Sequence, residues 1–156
     1  MIENKKIELL APAGDYEKLV IAVLYGADAV YIGGEEYGLR AKAKNFDLET
    51  MKKGIEFAHS HGVKVYVTAN IYAHNDDFYG MAEYFKKVYE IGADALLISD
   101  LGVFSVAKEA VPDMEIHVST QANNTNYMSA KMWYSLGAKR VVAARELSLK
   151  EIKELR

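Results

Sequence analysis

Gly26-Ala27-Asp28-Ala29-Val30 runs on into Tyr31-Ile32-Gly33-Gly34; its opening recurs as Gly92-Ala93-Asp94-Ala95-Leu96 and, more loosely, as Gly137-Ala138-Lys139-Arg140-Val141. Each copy reads as the end of a helix, a tight turn and the start of a short buried strand. A glycine just past a helix supplies the left-handed residue that such an ending needs. The small alanine beside it lets the helix lie close to a sheet. The role of the repeat is therefore structural. Working outward, short apolar runs at Ile7–Leu10, Ala29–Ile32, Val63–Thr68, Ala95–Ser99, Ile116–Ser119 and Arg140–Ala143 read as strands. They are rich in Val, Ile, Leu and Tyr and too short for helices, as buried parallel strands are. Phe78, Met81, Phe85, Val88 and Ile91 follow helical spacing, as do Leu48, Met51, Ile55 and Ala58. Asp15, Asp47, Asp100 and Ser148 stand where N-caps belong, and Glu151 completes a capping box with Ser148. Gly62 is a further helix-ending glycine, and Pro112 stops the helix that starts near Leu101.

Six strand–helix units in 156 residues, about 26 per unit, is the pace of a barrel or a doubly wound sheet. A dinucleotide-binding sheet carries a glycine-rich fingerprint after its first strand. Here Ala11-Pro12-Ala13-Gly14-Asp15 follows instead. The expected fold is α/β, a parallel TIM-barrel-like (β/α) domain over residues 1–156 with about six of eight units. Such an incomplete barrel is expected to be completed by a C-terminal half or by a second copy, because unpaired edge strands are adhesive.

Apolar residues make up 51% of the chain and charged ones 26%, ordinary for a globular protein. A net charge of -3 exerts no broad pull on nucleic acid or anionic membrane. The absence of cysteine excludes disulfides, thiol catalysis and cysteine-ligated zinc or iron–sulfur clusters within the chain. The polar opening Met1–Lys6 is no secretory signal, and no apolar run reaches the roughly 18 residues of a membrane span. A cytoplasmic protein without a membrane partner is expected.

In parallel α/β folds the site forms at the carboxyl ends of the strands. The first strand delivers Ala11, Pro12 and Gly14 there; the third delivers Thr68 and Asn70; the fourth delivers Ser99 and Asp100. After the second strand comes a long connection, Gly38-Leu39-Arg40-Ala41-Lys42-Ala43-Lys44-Asn45-Phe46, and long connections of this kind are often functional. Arg40 can bind a carboxylate or phosphate with its planar fork, Lys42 and Lys44 add positive field, and Asn45 adds an amide. Phe46 either covers a ligand or staples the next helix to the core. Ser119, Thr120, Gln121 and Asn123 place hydroxyls and amides after the fifth strand; they orient a ligand or satisfy a local turn. Arg145 and Glu146 follow the sixth, where Arg145 either faces the site or pairs with Glu146. The candidate ligand-binding set is Arg40, Asn45, Asn70, Ser119, Gln121, Asn123, Arg145 and Glu146, suited to a polar or anionic small molecule or peptide. No catalytic residue is assigned. The four histidines show no metal-ligand spacing, and Ser99 and Ser119 lack the setting of a nucleophile. Asp100 reads as a helix cap before it reads as an acid.

Five stretches in one order carry a resemblance. They are Glu8-Leu9-Leu10-Ala11-Pro12-Ala13-Gly14, Gly26 through Gly34, Arg40 through Phe46, Ser119-Thr120-Gln121, and Ala144-Arg145-Glu146-Leu147-Ser148. Together they resemble the N-terminal half of the U32 family of collagenase-like peptidases. The resemblance implies a barrel-like N-terminal region and a hydrolase label whose mechanism is unassigned. It also implies RNA modification, because some members hydroxylate RNA bases or a quinone precursor, with RNA as a partner of full-length relatives. Those members hold an iron–sulfur cluster through cysteines, and some depend on prephenate. No cofactor is expected in this cysteine-free chain; a cluster belongs to a longer, cysteine-bearing parent. Three readings follow: part of a U32 peptidase, part of a hydroxylation protein, or a non-catalytic scaffold that binds a ligand or completes a partner's barrel.

Overall fold

A computed structural model describes residues 7–39 and 45–155. Strands and helices alternate: β1 (Leu10–Pro12), α1 (Tyr16–Leu24), β2 (Ala29–Gly33), α2 (Leu48–Ser60), β3 (Lys64–Ala69), α3 (Met81–Glu90), β4 (Ala95–Ile98), α4 (Leu101–Ala110), β5 (Glu115–Val118), α5 (Tyr127–Ser135), β6 (Arg140–Val141) and α6 (Leu149–Leu155). The strands form one parallel sheet in sequential order, β1-β2-β3-β4-β5-β6. The sheet curls into part of a barrel, so far that Glu8, just before β1, reaches Arg140 on β6. This is the TIM-barrel-like architecture expected from the pace of the units.

Alternation along each strand divides the side chains between two faces. Val30, Ile32, Val65, Val67, Leu96, Ile98, Ile116 and Val118 face outward and join Leu19, Met51, Ile55, Phe85, Val88 and Phe104 of the helices in the main core. Burying each such side chain stabilises the fold by about 1.5–3 kcal/mol. Leu10, Ala29, Tyr66, Ala95 and Leu97 form a second, smaller cluster on the concave face.

The helix starts are built as the sequence implies. Asp15, Asp47 and Asp100 accept from the backbone N–H groups of Lys18, Thr50 and Val103 at 2.9, 2.7 and 2.9 Å. Glu151 accepts from the Ser148 N–H at 2.8 Å, and Ser148 Oγ accepts from the Glu151 N–H at 3.3 Å. Of the helix-ending glycines, Gly26 and Gly92 have φ of +93° and +94°, conformations a side chain would strain. The aspartate of the repeat has a use the sequence did not disclose. Asp28 accepts from the Leu9 N–H at 2.9 Å and Asp94 from the Val65 N–H at 2.7 Å, so each pins the start of the preceding strand.

Three boundaries differ from expectation by more than one residue. The first ladder runs over Leu10–Pro12 rather than Ile7–Leu10, because pairing with β2 begins at Leu10 opposite Ala29. Ile7 is accordingly 89% exposed. The last ladder stops at Val141, two residues short of the expected Ala143. Phe78 closes a 3-10 turn, Asn75–Phe78, ahead of α3 rather than lying within it. Among the described residues no helix is long and apolar enough to cross a membrane.

Candidate functional site

A cavity of about 380 Å³ opens at the carboxyl ends of the strands, inside the curl of the sheet. Leu10, Pro12, Tyr31, Leu97 and Val142 give it apolar walls. Asn45, Thr68, Asn70, Ser119, Thr120 and Gln121 supply neutral hydrogen-bonding groups, and Arg145 supplies a cation. Five of the candidates read from the sequence, Asn45, Asn70, Ser119, Gln121 and Arg145, therefore share one space. Asn123 and Glu146 are exposed and do not line it. Asn123 takes a left-handed conformation, φ +51°, as the C-cap of the 3-10 turn Thr120–Ala122, and this turns the chain away from the cavity. Arg40, with Lys42 and Lys44, lies outside the described residues.

The polar groups are held by one another across several strands. Asn70, just past β3, accepts from the Leu39 N–H at 3.3 Å and donates to Ser119 Oγ at 3.5 Å. It thereby ties the connection after β2 to the end of β5. Ser119 is buried, and its Oγ also accepts from the Gln121 N–H at 3.4 Å. Gln121 in turn accepts from the Tyr72 hydroxyl at 3.4 Å, and Thr120 donates to the Ala143 carbonyl at 3.4 Å. All five contacts lie at the long end of the hydrogen-bond range and are individually weak. A ligand can exchange them for its own at small cost.

Gly33 matters through what it lacks. A Cβ there would stand 3.3 Å from Asn45 Oδ1 and 3.4 Å from Thr68 Oγ1, so glycine leaves space for both groups at the cavity wall. Phe46 is 2% exposed and belongs to the main core; it staples α2 and does not line the cavity. Asp100 caps α4 as read. Ser99 trails β4 as read but stands outside the candidate ligand-binding set, and among the described residues its buried hydroxyl has no partner. Its signal was its parity with Leu97 along the strand. Thr68 and Tyr31 share this inward parity and line the cavity outside the candidate set, whereas Thr120 has the opposite parity and reaches the cavity from the 3-10 turn Thr120–Ala122.

Among the described residues no three His, Asp or Glu side chains are grouped to hold a metal ion. His59 pairs with Asp94 at 2.8 Å on the outside of the barrel. His117 is 2% exposed on the concave side, and burial pushes its pKa down, with the Glu115 carboxylate opposing. An iron–sulfur cluster held by thiolates finds no ligand in this chain, which has no cysteine. As it stands, the cavity can bind and orient. It offers apolar walls for a ligand's body, amides and hydroxyls for neutral oxygens, and a guanidinium for a negative group.

The comparisons agree with this architecture and add to it. Residues 14–156 match the profile of Peptidase family U32. The tRNA hydroxylation protein P1 of Bacillus subtilis is 46% identical over 153 residues, covering 98% of this chain and 36% of that protein. The tRNA hydroxylation protein P of Escherichia coli is 44% identical over 151 residues, covering 97% of this chain and 33% of that protein. The chain thus spans about a third of the length of these curated relatives. Among solved structures, the U32 peptidase Mk0906 superposes with a TM-score of 0.79 at 14% identity, covering 100% of this chain and 67% of the other.

Proposed function

The chain belongs to peptidase family U32, and from that premise we propose that it is the barrel portion of an RNA-hydroxylating protein, holding a small anionic molecule at the strand ends. One observation carries the reading. Identity of 44–46% runs through essentially the whole chain to proteins named for tRNA hydroxylation. The likeness to the solved peptidase, at 14% identity, speaks for the fold alone. The site supports the same side. A peptidase needs a nucleophile with its base, or a metal-activated water. The described residues of the cavity offer amides, hydroxyls and a guanidinium. In this reading the cavity binds and aligns a ligand bearing a carboxylate or phosphate, and the RNA approaches the open mouth.

The test is genetic. Deleting the gene in its source organism and digesting total tRNA and rRNA to nucleosides should abolish a species heavier by one oxygen than its parent, and the restored gene should return it. A nucleoside profile unchanged by the deletion would sink the proposal. The second reading, peptide hydrolysis, rests on the family's name and on a Methanocaldococcus jannaschii relative, 43% identical over 150 residues, that is named an uncharacterized protease. It gains if purified protein cleaves gelatin and Gln121→Ala abolishes the cleavage.

A further inference from the structure

Directly beneath the cavity lies another layer of side chains that point into the barrel. Residues two apart on a strand share a face and stand about 6.6 Å apart along it. Glu8 sits below Leu10, Tyr66 below Thr68, His117 below Ser119 and Arg140 below Val142, and all four upper residues line the cavity. The lower four meet near the axis. Arg140 presents both terminal nitrogens to Glu8, at 2.5 and 3.2 Å. The Tyr66 hydroxyl donates to the same carboxylate at 2.9 Å, and the Arg140 guanidinium lies 5.5 Å over the Tyr66 ring. His117 meets that ring edge-on at 4.7 Å.

The ion pair joins the two ends of the sheet. Glu8 and Arg140 are 132 residues apart, and the strands they flank share no ladder, because β1 pairs with β2 and β6 with β5. Those same two strands supply facing walls of the cavity: Leu10 and Pro12 on one side, Val142, Ala143 and Arg145 on the other. The walls from β2 to β5 are fixed by ladders on both flanks. β6 has two paired residues, and among the described residues its one partner strand is β5. Among the described residues no ladder joins β1 to β6, and the Glu8–Arg140 contact bridges them.

We infer that Glu8, Arg140 and Tyr66 form a clamp across the barrel floor that sets the separation of the β1 and β6 walls, making Glu8 and Arg140 positioning residues for Arg145. The inference rests on the cavity being the ligand site, but not on which reaction that site serves. Arg145 stands five residues beyond Arg140 along the same short segment, so a hinge at the floor becomes a displacement at the mouth. The bidentate fork makes the link directional, which a single point charge would not.

The chain has no cysteine, so two introduced cysteines are unique sites for spin labels. Labels at Glu17→Cys on α1 and Lys150→Cys on α6 report the β1–β6 separation by double electron–electron resonance. Labels at Lys52→Cys on α2 and Glu90→Cys on α3 serve as the internal control. In the otherwise unchanged chain the first pair should give one narrow distance. Glu8→Gln should broaden and lengthen it while the control pair stays as it was. Arg140→Lys, which keeps charge and loses the fork, should broaden it less. The charge-reversed double variant Glu8→Arg with Arg140→Glu should restore much of the narrow distance. An α1–α6 distance unchanged by Glu8→Gln overturns the clamp. So does equal broadening of both pairs, which marks a general loss of structure, or a reversed pair that restores nothing.

Discussion

The floor and the mouth of this barrel are built from the same strands, one layer apart, yet they treat polar groups in opposite ways. At the floor a partly exposed ion pair and its ring neighbours close on one another: Arg140 on Glu8, Tyr66 on Glu8, His117 against Tyr66. At the mouth the polar groups are mostly neutral, joined by contacts of 3.3–3.5 Å, and open to a cavity of about 380 Å³. A closed charged network stabilises through complete satisfaction, and losing one member strands the rest. Weak contacts between neutral groups contribute little to folding and are available to a ligand. The floor is expected to carry stability, and the mouth binding.

Removing the cation at the floor should give the largest effect. Arg140→Met leaves the Glu8 carboxylate without its main partner and should cost about 2 kcal/mol, the scale of a hydrogen bond to a charged group. Urea unfolding followed by circular dichroism measures it; a loss below about 0.5 kcal/mol erases the contrast between the layers. Tyr66→Phe deletes one donor to the same carboxylate while keeping the ring, and should cost about 1 kcal/mol in the same assay.

The floor should also make stability depend on pH in two windows. The hydrogen bond from Arg140 holds the Glu8 carboxyl below its ordinary range, against the opposing effect of burial and with help from Tyr66. Its contribution is complete above the ordinary glutamate pKa of about 4.3 and is lost as pH falls through the lowered folded value. The advantage of the natural chain over Glu8→Gln should therefore persist from pH 7 to 5 and shrink in stronger acid. His117 acts earlier. Burial lowers its pKa, so below pH about 6.5 the unfolded chain takes up a proton that the folded chain refuses. Stability should fall from pH 6.5 downward, less steeply in His117→Asn. Equal slopes for the two proteins would place His117 outside the balance.

The smallest stability effect belongs to the mouth. Gln121→Ala should change unfolding by no more than about 0.5 kcal/mol, since among the described residues its side chain is held by a 3.4 Å bond from the exposed Tyr72 hydroxyl. A loss as large as that of Arg140→Met would mean that the mouth is structural after all.

How much of this was legible in the sequence differs between the two layers in the same way. The fold was written in the repeat: Gly26 and Gly92 take the left-handed conformation their place after a helix requires, and Asp47 and Asp100 cap the helices that follow. Asn70, Ser119, Gln121 and Arg145 could be nominated because each directly trails a buried strand, where a parallel fold gathers its polar groups. Asn123 failed that rule because it ends the 3-10 turn Thr120–Ala122 in a left-handed conformation, and Glu146, five residues past the end of β6, is exposed outside the cavity. Of the floor only the face of His117, shared with Ser119 along β5, could be read; its joining to Tyr66, Glu8 and Arg140 could not. Tyr66 sits inside a strand covered on both faces, where an apolar run hides which side chain points inward. Glu8 lies 58 residues from Tyr66 and 132 from Arg140, and only the curl of the sheet joins them.

The central claim is that the cavity at the strand ends serves RNA hydroxylation. Its most direct test compares chromosomal alleles in the source organism, with the whole protein otherwise intact. Cells carrying Arg145→Ala should hold at least tenfold less of the oxygen-added nucleoside than wild-type cells, whereas Lys52→Ala on the outer face of α2 should hold the normal amount. An Arg145→Ala allele with wild-type nucleoside content, at wild-type protein abundance, contradicts the account.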